Sequence, residues 1–251
     1  MQFSTDQNRI EINTPTRDAL VNAVRAHLRA RSGFALATLN LDHLVKLRHD
    51  AAFAAAYAAQ DIVVADGRPV VWLSRLARQP VDLLPGSDLV LPLCAVAASE
   101  GRAIAMIGST EAALGDAADH LTRAVPGLKV AYTNAPAMGF DPDGPAAAEI
   151  LRALEASGAG LCFLALGAPK QERLAARGRD LAPSVGFASI GAGLDFLGGH
   201  QRRAPTVVRR LALEWLWRAL SSPRRMVPRY ARCFAILPAL TVQALRQRRR
   251  G

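Results

Sequence analysis

Cysteine, long apolar runs and a leader-like segment are scarce or absent in this chain of 251 residues. Its three cysteines are widely spaced, so they predict no disulfide framework and favour a reducing, cytosolic compartment. No apolar run reaches the roughly 18–20 residues that a membrane-spanning helix needs. Met1–Asn13 is polar and has no apolar h-region, so we expect no secretory signal. These features exclude disulfide-rich secreted proteins and polytopic membrane proteins.

Acidic residues are nearly absent from the last part of the chain. Residues 200–251 contain thirteen arginines and one acid, Glu214, and so carry a net charge of +12. The whole chain carries +10, which leaves −2 for residues 1–199. A basic tail of this kind is expected to seek phosphate, in a nucleic acid, an anionic membrane surface or a phosphorylated substrate.

Apolar strands followed by glycine turns and helices recur along the first 199 residues. With 51% hydrophobic residues, the chain can also build a sizeable core. The pattern predicts an α/β fold: a doubly wound, mostly parallel, Rossmann-like sheet with helices on both faces. We expect a core domain over residues 1–199 and a basic helical C-terminal appendage over residues 200–251.

Periodicity gives the expected positions of the main elements. The predicted strands lie at 34–39, 62–65, 103–107, 128–132, 161–166 and 185–190, with a short edge strand at 10–13. One strong helix is expected from Asp42 to about Gln60, and Ser87 or Asp88 is expected to cap another. In the tail, a short amphipathic helix is predicted over Leu211–Leu220, followed by a break and the apolar Phe234–Leu245.

Asp66 is the most informative single residue. It follows the buried strand at 62–65, and Pro69, a helix-start signal, comes three residues later. Asp66 therefore lies at the carboxyl edge of the sheet, where open α/β sheets bind their ligands. The alternative is that Asp66 simply caps the helix. Asn40 and His43 follow the first strand in the same way, and both also have a capping alternative.

Glycine turns also follow other strands. Gly108 and Ser109 open a helix whose N–H groups can hold a phosphate, although a simple capped turn is the alternative. The turn at Gly191 begins like a dinucleotide fingerprint but lacks its third glycine, so it is weak evidence. An Asp-x-Asp pattern at residues 141–143 lies between prolines and is interpreted as a solvated turn. We therefore predict no metal site and no cofactor.

Seven short motifs in the same order resemble the WecG/TagA/CpsF glycosyltransferases (glycosyltransferase family 26) over about residues 8–232. They are Thr38-x-Asn40-x-Asp42-His43-Leu44, Ala65-Asp66-Gly67, Gly86-Ser87-Asp88-Leu89, Leu166-Gly167-Ala168-Pro169-Lys170-Gln171-Glu172, Gly191-Ala192-Gly193-x-Asp195-Phe196-x-x-Gly199, Arg203-Ala204-Pro205, and Glu214-Trp215-Leu216-x-Arg218 with Pro223-Arg224-Arg225. The family's usual arginine before the Gly-Ser-Asp-Leu motif is replaced here by Leu83, so a phosphate contact made there is lost or supplied elsewhere.

The resemblance implies an inverting, metal-independent transferase. It would move N-acetylmannosamine, its uronic acid or glucose from a UDP-sugar to a polyprenyl-diphosphate-linked saccharide. The product would serve exopolysaccharide, teichoic acid or surface-antigen synthesis. The protein would be cytoplasmic, and it would bind peripherally to the anionic surface of the inner face of the cell membrane. A homo-oligomer remains an open alternative, as do the donor sugar, the acceptor saccharide and insertion of Phe234–Leu245 into lipid.

The resemblance also implies roles for individual residues. Asp66 would be the catalytic base, with Thr38 beside it in the catalytic group. The substrate-binding residues would be Asn40, Asp42, His43, Gly67, Asp88, Gly108, Ser109, Gly167, Gln171, Glu172, Gly191, Gly193, Asp195, Arg203, Arg218, Arg224 and Arg225. The last three would face the acceptor's diphosphate, because guanidinium groups bind phosphate oxygens bidentately. For those three, a solvated basic helix face is the alternative.

Two other classes of function compete with this interpretation. Glycines after strands also suit an NAD-dependent oxidoreductase, but no complete fingerprint is present and the nearest one lies late in the chain. The arginine-rich tail also suits a nucleic-acid-binding protein. It lacks the aromatic platform or zinc-ligand pattern of the common modules, and Trp215 and Trp217 instead suit a membrane-facing helix, so we predict no nucleic-acid partner.

Overall fold

The computed structural model describes residues 1–4, 9–200, 205, 208 and 214–249, apart from the side chains of residues 214, 218 and 225. The described strands are β1 Gln2–Ser4, β2 Arg9–Glu11, β3 Phe34–Leu39, β4 Ile62–Ala65, β5 Ile104–Gly108, β6 Val130–Asn134, β7 Leu161–Ala165 and β8 Gly186–Ser189. The described helices are α1 Arg17–Ala30, α2 Leu41–Lys46, α3 Ala51–Ala58, α4 Arg68–Leu76, α5 Gly86–Ser99, α6 Glu111–Ala124, α7 Pro145–Ala156, α8 Lys170–Leu181, α9 Gly193–Leu197, α10 Glu214–Ser221 and α11 Pro223–Arg248.

Six strands form one parallel sheet in the order β4-β3-β8-β7-β5-β6. The residues of β3, β4, β5, β7 and β8 are almost all apolar and buried, as expected for strands that are covered on both faces, whereas the edge strand β6 has only partly buried and exposed residues. The predicted Rossmann-like α/β fold is therefore confirmed. The short strand expected at 10–13 lies instead at Arg9–Glu11, and it pairs antiparallel with β1 in a separate ribbon rather than at the sheet edge.

Alternate residues of each strand enter different cores. On one face, β3 residues such as Leu36 pack with side chains of α1, α5, α6 and α9. On the other face, Ala35 packs with α7 and α8, and Leu39 packs with α2, α3, α4 and α11. Because α6 after β5 and α8 after β7 lie on opposite faces, the turns that follow these two neighbouring strands diverge. Such a divergence opens the crevice in which doubly wound sheets bind ligands.

The helix expected from Asp42 to Gln60 is two helices, so that prediction is wrong. Helix α2 ends at Lys46, and Asp50 starts α3 by accepting a hydrogen bond from the Phe53 N–H at 2.9 Å. The capping carboxylate thus supplies a second helix start inside one apolar pattern. The expectation for α5 also fails, because its N-cap is Pro85 and it has no side-chain cap hydrogen bond.

The tail forms two helices separated at Ser222. The structure describes the predicted amphipathic helix from Glu214 and confirms the break before Pro223. Helix α11 then continues through Pro228 and Pro238. One side of α11 is buried against α2 and α4, through the residues Cys233, Ile236, Leu240 and Ala244. The proposed boundary at residue 199 stays a prediction.

Within the part of the chain that the structure describes, every helix is too short or too polar to cross a bilayer.

The backbone at Gly108 generates a stability prediction. Its φ is +119°, and an added Cβ would lie 2.5 Å from the carbonyl carbon and oxygen of Ala165. Gly108→Ala should therefore lower the free energy of unfolding by about 3 kcal/mol, through backbone strain and overpacking. Chemical denaturation measures this change. The matched control is Gly115→Ala in α6, where nothing lies within 4 Å and a gain of about 0.5–1 kcal/mol is expected. Equal effects of the two variants would contradict the argument.

Candidate active site

Asp66 and Asn40 meet at the carboxyl edge of β4 and β3. The Asp66 N–H donates to the Leu39 carbonyl at 2.8 Å, which extends the strand pairing by one residue. The Asn40 side chain uses both ends of its amide. Its oxygen accepts from the His43 N–H at 3.1 Å and caps α2, and its nitrogen donates to Asp66 Oδ2 at 3.3 Å. Asn40 is therefore the N-cap of α2, as its capping alternative predicted. It also orients the Asp66 carboxylate.

The alternative role of Asp66 as a helix cap is wrong. The N-cap of α4 is Gly67, with φ +89°, and this helix has no side-chain cap hydrogen bond. The left-handed region favours glycine, because a Cβ is disfavoured there. Gly67 thus turns the chain into α4 directly after Asp66, and the carboxylate remains at the edge of the sheet.

Thr38 lies in β3, just before this edge, and is almost fully buried. Its hydroxyl donates to the Ser189 carbonyl at 3.4 Å, which joins β3 to the end of β8. Thr38 therefore sits between the Asp66 turn and the glycine turn at Gly191. Its catalytic role stays a prediction.

Gln171 and Glu172 are not exposed ligands but a buried pair in the first turn of α8. The Gln171 amide nitrogen donates to Glu172 Oε1 at 2.8 Å, and its oxygen accepts from the Gly191 N–H at 3.1 Å. Glu172 thereby fixes which way the amide points, and Gln171 holds the turn between β8 and α9. Their predicted role in substrate binding stays a prediction, but the geometry also gives them a positioning role.

Burial perturbs two ionisable groups below this edge. Burial raises the pKa of Glu172 to about 7, although the Gln171 hydrogen bond and Lys46 act in the opposite direction. Burial lowers the pKa of His43 to about 3, and the Lys46 charge adds to that shift. The His43 ring packs edge-to-face with Phe53 and Tyr57, and its Nδ1 lies 3.3 Å from the Tyr57 hydroxyl. His43 is thus a neutral core histidine in the structure, and its predicted substrate contact is untested.

Ser109 and Asp195 come together although they are far apart in the sequence. Ser109 has a φ of +56°, which is unusual for a residue with a side chain, and its hydroxyl donates to Asp195 Oδ1 in α9. Strained backbone of this kind clusters at functional sites. The contact ties the turn after β5 to the turn after β8. Their predicted substrate contacts stay predictions.

The remaining glycines shape the same edge in different ways. Gly167 has a φ of +71° and would carry a Cβ into open space, which suits close approach of a ligand. A Cβ on Gly193 would lie 3.2 Å from the Ser87 Cα, so this glycine lets α9 pack on α5. Asp88 lies in the first turn of α5, near the same packing contact.

A chain of charges links α11 to this edge, and two of its members, Lys46 and Arg229, were not among the residues predicted from the sequence. Asp42 pairs with Arg229 of α11 at 3.0 Å and with Lys46 at 2.9 Å. Lys46 also donates to the Ala168 carbonyl at 3.0 Å, in the loop between β7 and α8. The spacing of Asp42 and Lys46 in one helix was a usable signal. Asp42 therefore acts as a structural bridge here, whatever contact it makes with substrate.

The predicted arginines are placed unevenly. Arg224 is exposed in the first turn of α11. Arg203 lies outside the described residues, as do the side chains of Arg218 and Arg225. Leu83, in the position of the family's arginine, packs on the apolar cluster around α4.

The acidic turn at residues 141–143 is local. Asp141 accepts a hydrogen bond from the Asp143 N–H at 3.1 Å, and Asp143 pairs with Arg173. In the described ranges, no three His, Cys, Asp or Glu side chains converge as metal ligands would.

Comparison with known proteins gives a family match and matches to individual proteins. The model of the glycosyl transferase WecG/TagA/CpsF family matches residues 6–251. An N-acetylglucosaminyldiphosphoundecaprenol N-acetyl-beta-D-mannosaminyltransferase of Bacillus spizizenii is 27% identical over 211 residues, which cover 81% of this chain and 79% of that protein. The family match therefore spans the parallel sheet, the edge around Asp66 and the basic tail.

The raised pKa of Glu172 generates a pH prediction. Between about pH 4.5 and 7, the folded protein keeps this proton and the unfolded chain loses it, so the group's contribution to stability falls as pH rises. Glu172→Gln should therefore gain stability relative to wild type across this window, by up to about 3 kcal/mol. Urea unfolding at pH 4, 5.5 and 7.5 measures the difference. The exposed Glu149→Gln in α7 is the control, and a difference that does not change with pH would contradict burial as the cause.

Proposed function

Since the chain belongs to the WecG/TagA/CpsF family of glycosyl transferases and is a glycosyltransferase, we propose that it transfers a sugar from a UDP-sugar to a polyprenyl-diphosphate-linked saccharide. The observation that carries the proposal is the placement of Asp66. Its carboxylate lies at the ligand-binding edge of a parallel sheet and is oriented by Asn40.

The proposed reaction is a single inverting displacement. The acceptor hydroxyl attacks the anomeric carbon, and Asp66 takes the hydroxyl proton. The new carbon–oxygen bond forms as the bond to the β-phosphate oxygen breaks, and UDP leaves with that electron pair. A base in this role needs a fixed direction. The Asn40 hydrogen bond supplies it, and the pairing of the Asp66 N–H with Leu39 fixes the backbone beneath it.

The departing UDP carries negative charge that the protein must stabilise. Backbone N–H groups at the starts of α6 and α9 lie at the same edge, where they suit phosphate oxygens. The Ser109–Asp195 contact holds these two turns together. The predicted arginine contacts from residues 203, 218, 224 and 225 would add charge from the tail. We infer that these groups replace a metal ion in the proposed mechanism.

The donor is proposed by similarity. The Bacillus spizizenii relative is named as an N-acetyl-beta-D-mannosaminyltransferase acting on N-acetylglucosaminyldiphosphoundecaprenol. We therefore propose UDP-N-acetylmannosamine as the first donor to test, with its uronic acid and UDP-glucose as alternatives. Cell-surface polysaccharide synthesis is the process that would use such a product.

A lipid-linked acceptor requires the protein to work at a membrane surface. Apolar side chains of α10 and α11 face solvent, including Trp215, Leu220, Val227 and Phe234. Arginines such as Arg224 and Arg232 are exposed among them. Aromatic rings and cations together suit the headgroup region of an anionic bilayer. We propose that α10 and α11 dock there peripherally, on the inner face of the cell membrane.

The first functional prediction concerns Asp66. Asp66→Asn keeps the side-chain shape but cannot accept the proton, so acceptor-dependent UDP release should fall by roughly 10²–10⁴-fold. UDP release is measured with short-chain polyprenyl-diphosphate saccharides and a panel of UDP-sugars. Asp180→Asn, an exposed carboxylate of α8, should keep full activity. Wild-type rates in Asp66→Asn would remove Asp66 from the mechanism, and no release from any donor would overturn the proposed reaction.

The second functional prediction concerns membrane docking. Leu220 is 74% exposed and Val227 is 55% exposed, so replacing both with glutamate should leave the fold intact. The lost apolar contact and the repulsion from anionic lipid should weaken vesicle binding roughly 10–100-fold. Vesicle sedimentation measures this. The control is Met138→Glu, at a fully exposed apolar residue in the loop before α7. Equal binding by both variants would contradict docking through α10 and α11.

A further inference from the structure

A groove of about 320 Å³ lies between the β1–β2 ribbon and the C-terminal half of α11. The residues that line it are Gln2, Ser4, Arg9, Arg48, Ala239, Val242, Gln243, Arg246 and Gln247. None of these residues belongs to the edge around Asp66. The groove therefore has no role in the reaction proposed above.

The two walls of the groove are joined by a double hydrogen bond. The Gln247 side-chain nitrogen donates to the Gln2 carbonyl, and its oxygen accepts from the Gln2 N–H at 3.3 Å. The amide thus pairs with the edge of β1 as a neighbouring strand would. Next to it on the buried side of α11, Ala244 packs in the core. The position of the helix end beside the ribbon is therefore fixed by packing and by directional bonds.

Three arginines from separate elements line this groove. Arg9 comes from β2, Arg48 from the turn after α2, and Arg246 from the last turn of α11. Among the residues that the structure describes, no carboxylate lines the groove. The acid next along β2 is Glu11, which accepts a hydrogen bond from the Gln2 side chain at 3.3 Å. Like charges held together in this way favour an anionic ligand.

The helix dipole opposes an anion at this end of α11, but by less than the arginines favour it. The C-terminus of a helix is equivalent to roughly half a negative charge. The three positive charges of the arginines outweigh this half negative charge. Ser4 and Gln243 add neutral hydrogen-bonding groups to the lining, which suits the several oxygens of a phosphate.

Part of the lining is apolar and exposed, and this part favours some phosphate-containing ligands over others. Ala239 and Val242 are exposed on the solvent side of α11. A nucleotide would place polar sugar and base against these residues, and the groove volume is at the lower limit for a ligand of that size. A phospholipid presents a phosphate beside acyl chains, which matches guanidinium groups beside an apolar helix face.

We propose that the groove of Arg9, Arg48 and Arg246 binds the phosphate of an anionic phospholipid headgroup. This proposal rests on the proposed function, because it assumes that α11 docks on a membrane. It adds a discrete site that includes two arginines from outside the basic tail. Bound lipid would hold the ribbon and α11 against the bilayer at a fixed orientation.

The test compares vesicle binding by the full-length protein and its variants. The vesicles are phosphatidylcholine alone or phosphatidylcholine with phosphatidylglycerol. Arg9→Gln, Arg48→Gln and Arg246→Gln should each weaken binding to the anionic vesicles roughly fivefold, with little change on neutral vesicles. Arg152→Gln is the matched control, since it removes one exposed charge from α7, outside both the groove and the α10–α11 surface. Thermal unfolding checks that each variant is folded.

Three outcomes would overturn the proposal. Equal losses for Arg152→Gln and Arg9→Gln would show a diffuse charge effect rather than a site. Unchanged vesicle binding in all three groove variants would show that the groove is not used. Binding of glycerol 1-phosphate or inorganic phosphate that the variants lose, with vesicle binding retained, would assign the groove to a soluble phosphate compound.

Activity on a water-soluble acceptor, without vesicles, separates this proposal from the proposed function. The groove variants should release UDP at the wild-type rate under those conditions. Loss of vesicle binding with unchanged soluble turnover supports the groove as a lipid site. Failure of wild-type protein to release UDP from any donor would instead count against the proposed reaction.

Discussion

The hydrogen bond between Asn40 and Asp66 is the interaction on which the candidate site depends. It links the ends of two adjacent parallel strands through one side chain, and the same side chain starts α2. The strand register makes this link feasible, because Leu39 pairs with Ala65 and the next residue on each strand lies at the edge. An amide suits both tasks because it carries an acceptor and a donor. An ionised aspartate could cap α2 but has no hydrogen to donate to the Asp66 carboxylate.

Beneath this bond, the protein keeps its buried ionisable groups neutral over a broad pH range. Burial lowers the pKa of His43 to about 3 and raises that of Glu172 to about 7, so both groups are uncharged between these values. Their effects on stability have opposite signs where they overlap, since His43 favours folding as pH rises and Glu172 opposes it. These two buried side chains beneath the edge are therefore both uncharged in this pH range.

Much of the fold and of the site was predictable from the sequence, because both follow from local patterns. Buried parallel strands give continuous apolar runs, and Asp66 and Gly67 follow such a run directly. Contacts between distant elements were not predictable. Nothing near Ser109 indicates that its hydroxyl meets Asp195, and nothing in the polar run after Gly167 indicates that Glu172 is buried. Helix breaks were missed for a related reason, since alanine-rich spacing fits one long helix as well as two.

Helix α11 belongs to the basic tail, and it has both a side that is buried in the core and a side that faces solvent. Its buried side packs on α2 and α4, and Arg229 reaches Asp42, which in turn pairs with Lys46. Lys46 contacts the loop that leads to Gln171. Partly buried ion pairs of this kind add little net stability but constrain relative position. Docking of the solvent side of α11 on a bilayer would therefore act, through these ion pairs, on the loop that leads to Gln171. Gln171 in turn holds the turn at Gly191. These contacts connect the surface that we propose docks on the membrane to the edge where we propose that the sugar is transferred.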